Sequence, residues 1–446
     1  MLRVCLAIML GLSTFKPVQS AERLAGPMVG YSAMREAQIW VQTDQAAQIA
    51  IRYWPTGSPE LTKQSPTIDT NPRAANTAHV TISGLEPGQR YNYSLLIDDN
   101  DALVDWPLRF QTQTLWQWRQ DPPDFSFALG SCAYINEAAY DRPGKPYGAH
   151  YEIFGQIHKT RPDFMLWLGD NTYLREADWD SRSGILHRFS HSRALDELQP
   201  LLGSTHHYAI WDDHDYGPNN ADRSYVHKQV TLDAFKSFWA NPGYDATGHG
   251  GITGSFEWAD AQFFLLDDRW FRSANNRRTG TQQIYGEQQI DWLLNALKAS
   301  QATFKFIATG SVFVYNGRHH DSAINVAPIE RERLLSAIES EGITGVVFLS
   351  GDVHHSQLVR LDRHHAYPIF EWTVSPLTAG TYPPYLDSGT NIVEGSVVVD
   401  RNFGIVEITG PKDDRIARLR VIDYRGDERW RFELRATELC QPLRCP

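Results

Sequence analysis

The chain has 446 residues, of which 42% are apolar and 21% are charged, a composition typical of a globular protein. Its length is more than one hydrophobic core comfortably serves, so two or three domains are expected. The formal net charge is −11 and no dense run of Lys and Arg occurs. Nucleic-acid binding needs a basic patch, so we expect no nucleic-acid-binding surface.

The first twenty residues differ from the rest of the chain. Arg3 precedes the apolar run VCLAIMLGL, and Ser20 and Ala21 are small residues suited to cleavage. The run is far shorter than the ~20 residues that span a bilayer, so residues 1–20 are predicted to be a secretory signal peptide. No twin-arginine pair is present, which favours the general (Sec-type) secretory route, and no later segment reads as transmembrane. We therefore expect a periplasmic or secreted protein.

Cysteine usage agrees with an oxidising compartment. Cys5 leaves with the predicted signal peptide, so the mature chain keeps Cys132, Cys440 and Cys445. The last two are close in sequence and are predicted to form a disulfide. Cys132 is then left single. A lone buried thiol is most often a small core residue, so its role depends on its neighbours.

Residues 25–114 show the alternation of apolar and polar residues that is typical of strands. The predicted strands cover residues 37–43, 48–54, 78–83, 91–97 and 108–113. The segment SGLEPGQRYNYSL resembles the turn before the penultimate strand of fibronectin type III modules. The resemblance implies a small Ig-like β-sandwich, which a linker at about 115–124 separates from the rest.

From residue 125 onward the pattern changes to buried strands joined by long, helix-bearing connections. Residues 150–160 have a helical period, and an apparent hairpin closes a sheet edge after residue 400. The predicted strands cover residues 125–132, 163–170, 208–213, 261–268, 304–311, 345–352 and 369–376. Continuous apolar strands of this kind indicate an α/β fold, with sheets covered on both faces, over residues 125–440.

Five of these strands end in residues that can carry chemistry. The C-terminal ends of strands in α/β folds converge on one edge, where sites are built. A single acid at a strand end is usually a cap or turn residue, but five such ends favour a site. The residues at these ends are Cys132 (strand 125–132), Asp170 (163–170), Asp213 and His214 (208–213), Asp267 and Arg269 (261–268), and Asp352, His354 and His355 (345–352).

The number of acids favours bound cations, because carboxylates gathered as bare anions would repel one another and take up protons. Asp352 and His354 differ by two positions, which places both on one face of an extended segment. The same alternation turns Asp212 and Asp213 to opposite faces, so at most one of them is expected to contact a metal.

Other hydrolytic sites are not indicated. The chain has no G-x-S-x-G nucleophile turn and no phosphate-cradling P-loop. Metal-assisted hydrolysis remains, in which two ions ~3.5–4 Å apart clamp an ester and lower the pKa of a water molecule.

The motif order GSC, GD-x-x-Y, WDDHD followed by NN, D-x-R and SGD-x-H resembles that of the PhoD-like phosphatases. These form the alkaline phosphatase D branch of the calcineurin-like metallophosphoesterases. The resemblance covers about residues 125–440 and implies an α/β sandwich with two mixed sheets flanked by helices, preceded by the β-sandwich. It also implies hydrolysis of phosphate mono- or diesters by a hydroxide that two metal ions activate.

The resemblance further implies a set of metal ligands. The first ion would bind Cys132, Asp170, Tyr173 and His354, and the second would bind Asp170, Asp213 and Asp352. A phenolate beside a thiolate favours Fe³⁺, and an all-oxygen partner site suits Ca²⁺. Many relatives in the wider superfamily have a further metal-binding histidine where Gly310 or Ser311 stands here, so Zn²⁺ or Mn²⁺ remain alternatives.

His214 would lie beside the scissile phosphate, where it would donate to an oxygen or protonate the leaving group. Its alternative role is that of a turn histidine that caps a helix. The candidate substrate-binding residues are Arg269, Asn220 and His355. Arg269 could instead form an ion pair with Asp267 or Asp268, Asn220 could only shape a loop, and His355 faces the site only if the turn redirects it.

Two other functions stay open from the sequence. One is a strict phosphodiesterase that acts on a lipid or teichoic-type diester, since a monoesterase needs room and positive charge for a dianion. The other is a non-catalytic, calcium-dependent binding protein. The presence of His214 and Cys132 argues against the latter, because binding through calcium needs neither residue. The physiological substrate and the oligomeric state are not indicated.

Overall fold

The structure is a computed structural model that describes residues 20–317, 319, 321–364, 366–384 and 390–440. The predicted signal peptide, up to residue 19, lies outside the described residues, as does Cys445 of the predicted disulfide. Within the described residues, no helix is both long enough and apolar enough to cross a membrane.

Residues 20–124, here the N-terminal part, contain nine strands in two layers. β1, β2 and β6 form one layer, and β4, β3, β7 and β8 form the other, with β5 paired to β3 and β9 to β7. Apolar side chains of the two layers share one core, as the predicted sandwich requires. The strands are β1 (Arg23–Ser32), β2 (Glu36–Thr43), β3 (Gln48–Pro55), β4 (Lys63–Gln64), β5 (Ile68–Asp69), β6 (Thr77–Ser83), β7 (Arg90–Ile97), β8 (Asn100–Ala102) and β9 (Arg109–Gln111).

Residues 125–440, here the C-terminal part, contain the remaining strands. Each predicted strand is present, although most end two or three residues earlier than predicted. They are β10 (Phe125–Gly130), β11 (Phe164–Leu168), β12 (His206–Ile210), β13 (Gly254–Trp258), β14 (Ala261–Leu265), β15 (Phe304–Ala308), β16 (Val346–Ser350), β17 (Gln357–Leu361), β18 (Ile369–Thr373), β19 (Asn402–Thr409), β20 (Ile416–Asp423) and β21 (Glu428–Arg435).

The helices all lie in the C-terminal part, apart from short 3₁₀ turns. They are α1 (Glu152–Thr160), α2 (Arg182–Arg193), α3 (Gln199–Leu202), α4 (Asp213–Tyr216), α5 (Lys228–Phe238), α6 (Gly286–Ala299), α7 (Ala323–Val326) and α8 (Pro328–Ser340). Short 3₁₀ turns cover Pro59–Leu61, Pro72–Ala74, Asp196–Leu198, Lys412–Asp414 and Ala436–Leu439.

Two mixed sheets face each other in the C-terminal part. One has six strands in the order β13-β14-β15-β16-β18-β17, and the other has nine in the order β21-β20-β19-β10-β11-β12-β1-β2-β6. Phe127 and Phe164 of the larger sheet stack at 4.9 Å and meet Phe263 of the smaller sheet edge-on at 5.1 and 5.2 Å. The predicted α/β fold with two mixed sheets and helices is confirmed.

The larger sheet does not stop at the boundary between the two parts. β1 pairs in parallel with β12, where Val29 lies opposite His206. Met28 and Trp40 lie in the core of the C-terminal part, and the Trp40 indole donates to the carbonyl of Ser237 at 2.7 Å. The sequence did not predict β1, although its strand joins the two parts by main-chain pairing.

Two buried histidines in β12 are held in the neutral state by their partners. His206 accepts a hydrogen bond from the backbone N–H of Gln111 at 3.1 Å, so its other ring nitrogen donates to a β1 carbonyl at 2.7 Å. His207 accepts from the Trp167 indole at 3.0 Å and donates to a backbone carbonyl at 3.3 Å. Burial lowers the pKa of His206 to about 4 and that of His207 to about 3.

We expect the protein to lose stability as the pH falls from about 6.5 to about 4. The unfolded chain protonates these histidines near their ordinary pKa, whereas the folded chain resists until its lowered pKa values are reached. The loss is on the order of 3 kcal/mol for each histidine. Urea unfolding at pH 7 and pH 4.5 would measure it. The variant His207→Gln should show a smaller loss than the wild type, and His249→Gln, at an exposed position, should match the wild type. An unchanged loss in His207→Gln would contradict the prediction.

Candidate metal centre

The candidate ligands lie in the loops that directly follow the strands, and several have an unusual backbone. β10, β11 and β16 end at Gly130, Leu168 and Ser350. The residues with positive φ at these loops are Cys132 (60°), Asp170 (53°), Asp352 (66°) and His354 (61°). Such φ values are uncommon outside glycine and persist where the surroundings over-determine them, which is typical of functional sites.

The first group of side chains contains a thiol, a carboxylate and an imidazole. One potential ligand atom from each of Cys132, Asp170 and His354 lies within 4.8 Å of the others. The Sγ of Cys132 is 3.7 Å from Asp170 Oδ2, and the Tyr173 hydroxyl is 3.4 Å from His354 Nε2. The structure therefore brings together the four residues that the sequence assigned to a first ion.

A second group shares Asp170 and contains Asp213 and His214, again within 4.8 Å. Asp213 accepts a hydrogen bond from the backbone N–H of Asn220 at 2.5 Å, and Asp170 accepts one from the N–H of His214 at 3.1 Å. Asp352, which was predicted here, is not in this group. Its carbonyl oxygen lies 3.9 Å from Cys132 Sγ.

The three acids of WDDHD have three different partners. Asp212 is the N-cap of α4 and accepts from Arg269 Nε at 2.6 Å. Asp215 accepts the backbone N–H groups of Asp212, Asn171 and Thr172 at 3.1, 3.2 and 2.9 Å, which holds the loop after β11. Only Asp213 lies in the candidate centre. The sequence analysis attributed the different directions of Asp212 and Asp213 to alternation along a strand. In the structure β12 has already ended, and α4 begins at Asp213.

Burial favours the uncharged forms of most ionisable groups of the centre, whereas the pKa of Asp213 is lowered by the neighbouring His214 and Arg269. Burial raises the pKa of Asp170 and Asp352 well above the usual range, and neighbouring carboxylates add to the rise. Burial likewise raises the pKa of the Cys132 thiol to about 12 and lowers that of His354 to about 4. A bound cation reverses these preferences, because it stabilises carboxylate and thiolate.

The residues fit a metal centre. Soft sulfur, phenol oxygen, imidazole nitrogen and carboxylate oxygen are gathered within a few ångströms, and this mixed set suits a transition metal next to a harder ion. His214 Nδ1 is buried and has no hydrogen-bond partner among the described residues. A buried polar atom without a partner is costly. The position of His214 Nδ1 next to Asp170 and Asp213 therefore supports the binding of a ligand or ion at this place.

Several residues that support the centre were missed by the sequence analysis. The Ser375 hydroxyl donates to Cys132 Sγ at 3.2 Å, and the Tyr147 hydroxyl contacts His354 Nδ1 at 3.2 Å. Such contacts orient metal ligands. Ser375 follows β18, so the same search for polar strand ends could have found it. Another missed residue, His319, lies with Nδ1 3.5 Å from Asp352 Oδ2, in a loop without a sequence signal.

Arg269, predicted to bind substrate, forms buried ion pairs. Its side chain is fully buried, and its guanidinium pairs with Asp212 and with Asp321 Oδ2 at 2.6 Å. Asp268 lies at 3.7 Å, so one of the two partners in the predicted alternative is present. Arg272 also pairs with Asp321. Its Nε and Nη2 groups are used in these contacts, whereas Nη1 is buried without a hydrogen-bond partner among the described residues. A contact of Nη1 with substrate therefore stays a prediction.

His355 is likewise held by protein contacts. Its Nδ1 contacts the carbonyl of Tyr382 at 2.9 Å and its Nε2 contacts Gln357 Oε1 at 3.3 Å. With both ring nitrogens in these contacts, a role of His355 toward substrate stays a prediction. Asn220 supports the centre through its backbone N–H on Asp213, and a contact of its side chain with substrate stays a prediction.

Comparisons with known proteins identify similar sequences and similar folds. The family model "PhoD-like phosphatase" matches residues 127–409, and a model of a domain of unknown function, DUF7800, matches residues 20–115. The N-terminal part is thus matched by a separate domain model, and its resemblance to fibronectin type III modules is not confirmed.

Among curated proteins, alkaline phosphatase D of Bacillus subtilis (strain 168) is 23% identical over 381 residues, which cover 74% of this chain and 60% of that protein. This chain therefore spans less than two thirds of that relative. The solved structure of PhoD matches with a TM-score of 0.73 and 18% identity, over 93% of this chain and 88% of that chain. A purple acid phosphatase from yellow lupin (Lupinus luteus) seeds matches with a TM-score of 0.66 and 12% identity, over 94% and 76%. At these identities the structures show a shared fold.

Proposed function

Because the chain belongs to the PhoD-like phosphatase family, we propose that it is a metal-dependent phosphoesterase that hydrolyses phosphate mono- or diesters. One observation carries the proposal. Two overlapping groups of metal-ligating side chains, which share Asp170, meet where β10, β11, β12 and β16 end. Overlapping groups of this kind suit two ions bridged by one carboxylate.

We assign Cys132, Tyr173 and His354 to one ion, Asp213 to the other, and Asp170 to both. Asp352 is the candidate for a remaining position of the second ion, and the ring of His214 is assigned to the substrate. When bound, two such cations supply positive charge that stabilises phosphoryl transfer and acidify water as the nucleophile. The thiol and phenol favour Fe³⁺ at the first position, and the carboxylates favour Ca²⁺ at the second, with Zn²⁺ or Mn²⁺ as alternatives.

The role of His214 in this proposal is to hold a proton next to the substrate. Its ring stacks on Tyr173 at 4.4 Å between centroids, and its backbone N–H is fixed on Asp170. These two contacts set the ring orientation and leave Nδ1 without a protein partner among the described residues. From there Nδ1 can donate to a phosphate oxygen or to the leaving group.

The burial of Arg269 favours a diesterase as the second candidate function. A phosphate monoester arrives as a dianion and gains from a free guanidinium, whereas a diester carries a single negative charge. Arg269 is neutralised by Asp212 and Asp321, so it adds little charge to the site. Export to the periplasm or the medium is part of the proposal and rests on the signal-like residues 1–20.

We expect the signal-free protein to release p-nitrophenol from p-nitrophenyl phosphate or its bis-ester, and a chelator to lower the rate by about tenfold or more. The ratio of the two rates separates monoesterase from diesterase. Iron and calcium contents of the same samples identify the ions. Hydrolysis that a chelator leaves unchanged, in protein freed of metal, would refute metal dependence. Loaded, folded protein that cleaves neither ester would favour the calcium-dependent binding protein.

A further inference from the structure

A cavity of about 340 Å³ lies between the N-terminal and C-terminal parts, on the side away from the candidate metal centre. Asp163 and His206 line it just before β11 and at the start of β12, whereas Asp170 and Asp213 follow those strands. A strand of five residues rises by roughly 15 Å. The cavity is therefore separate from the candidate metal centre.

Three arginines line this cavity: Arg90 of β7, Arg109 of β9 and Arg161 at the end of α1. In the β7–β9 pair, Arg109 lies opposite Asn92 and Arg90 opposite Gln111. Positions two apart share one face of a strand, so both arginines are on the face turned away from the sandwich core. The adjacent Tyr91 and Phe110 stack on the other face, at 5.0 Å.

The arginines have no carboxylate partner that would explain their proximity. Within the described residues, no ion pair or side-chain hydrogen bond involves Arg90, Arg109 or Arg161. The acid in the cavity, Asp163, uses one oxygen to accept from Gln111 Nε2 at 2.7 Å and the other to accept a backbone N–H at 2.9 Å. Like charges across a strand pair are unfavourable, and this cluster occurs in a chain with a net charge of −11.

The neighbouring positive charges also act on the pKa of Arg109. Burial lowers the pKa of Arg109, and the charges of Arg161 and Arg90 lower it further. Main-chain contacts nevertheless hold the residues in place. The N–H of Arg109 donates to the carbonyl of Gly203 at 3.2 Å, and Arg161 caps α1 with a φ of 54°. The backbones of these residues are thus fixed near one another, with Arg109 half-buried and Arg90 and Arg161 exposed.

We propose that this cavity binds a phosphate group, either of free inorganic phosphate or of a phosphate-rich polymer, at a site separate from the metal centre. Arginine matches the geometry of tetrahedral and planar oxyanions, and three cations suit the multiple charge of phosphate better than a single carboxylate. Bound phosphate would supply the negative charge opposite these arginines, which no carboxylate among the described residues supplies.

The test is equilibrium dialysis of the metal-loaded full chain with radiolabelled inorganic phosphate. We expect two sites per chain, one at the metal centre and one in the cavity. In the variant Arg109→Gln/Arg161→Gln, the dissociation constant of one site should rise at least about tenfold, while turnover of p-nitrophenyl esters stays as in the wild type. The control Arg35→Gln/Arg333→Gln removes the same charge at exposed positions and should keep both sites.

Linear polyphosphate separates the two sources of phosphate. Arginine-dependent binding that is much tighter for polyphosphate than for inorganic phosphate would assign the cavity to a polymer, and comparable binding would assign it to the free ion. If the wild type has no phosphate site that the arginine variant weakens, whether it binds one phosphate or two, the proposal is overturned. A single site that the arginine variant weakens would support the cavity and count against phosphate binding at the metal centre. Equilibrium dialysis measures binding and not hydrolysis, so it tests the cavity even if the protein hydrolyses no phosphate ester.

Unfolding in phosphate-free buffer is a second readout. Removal of two repelling charges should leave the arginine variant at least as stable as the control variant. A less stable arginine variant would mean that these side chains join the two parts by contacts of their own, which would contradict the proposal.

Discussion

Replacement of His214 by alanine is expected to lower kcat by roughly 10²–10⁴-fold, the usual contribution of a positioned acid or base. The backbone N–H on Asp170 remains in this variant, so the loop keeps its anchor. We expect iron and calcium contents to stay at wild-type levels, because the proposed role of the ring is toward substrate. Steady-state kinetics and elemental analysis of the same samples would test both statements.

One control variant and two alternative outcomes make the result specific. His249→Ala changes an exposed histidine and should leave kcat and metal content unchanged. If His214→Ala loses one ion together with its activity, the ring is a metal ligand, as its position beside Asp170 and Asp213 allows. Wild-type kcat in His214→Ala would remove the residue from the mechanism.

The change Arg269→Gln is expected to lower the free energy of unfolding by about 3–5 kcal/mol, since it leaves buried carboxylates without their cation. Asp212 and Asp321 lose the partner that now contacts both, and only Arg272 remains nearby on Asp321. Urea unfolding at pH 7 would measure the change.

The matched control is Arg333→Gln, which removes an exposed ion pair with Glu287 at 3.4 Å. Exposed pairs contribute little, so its unfolding free energy should stay within about 0.5 kcal/mol of the wild type. If Arg269→Gln is equally mild, the guanidinium is not what stabilises these acids. The earlier assignment of Arg269 to substrate would then regain support.

Much of the site could be predicted because strand ends are local signals. Cys132, Asp170 and His354 each follow a short apolar run, and parallel strands bring such ends to one edge of a sheet. The backbone of these residues could not be predicted in the same way. Their left-handed conformation is imposed by surrounding contacts, and residues of these types do not signal it.

The contacts that the sequence did not predict depend on residues distant in sequence. Arg269 was read with its neighbours Asp267 and Asp268, whereas its strongest partners, Asp212 and Asp321, lie 57 and 52 positions away. His355 is occupied by the carbonyl of Tyr382 from a separate loop. Pairings of this kind are set by the packed fold, so one sequence cannot rank them.

The parallel pairing of β1 with β12 also bears on how this chain can be divided. Two family models meet near residue 115, yet the nine-stranded sheet passes from one to the other. Removal of the N-terminal part would turn β12 into an open sheet edge, with main-chain donors and acceptors ready to pair with another molecule. The segment that each family model matches is therefore smaller than the unit whose sheet is complete, and we expect expression of either part alone to promote strand exchange and aggregation.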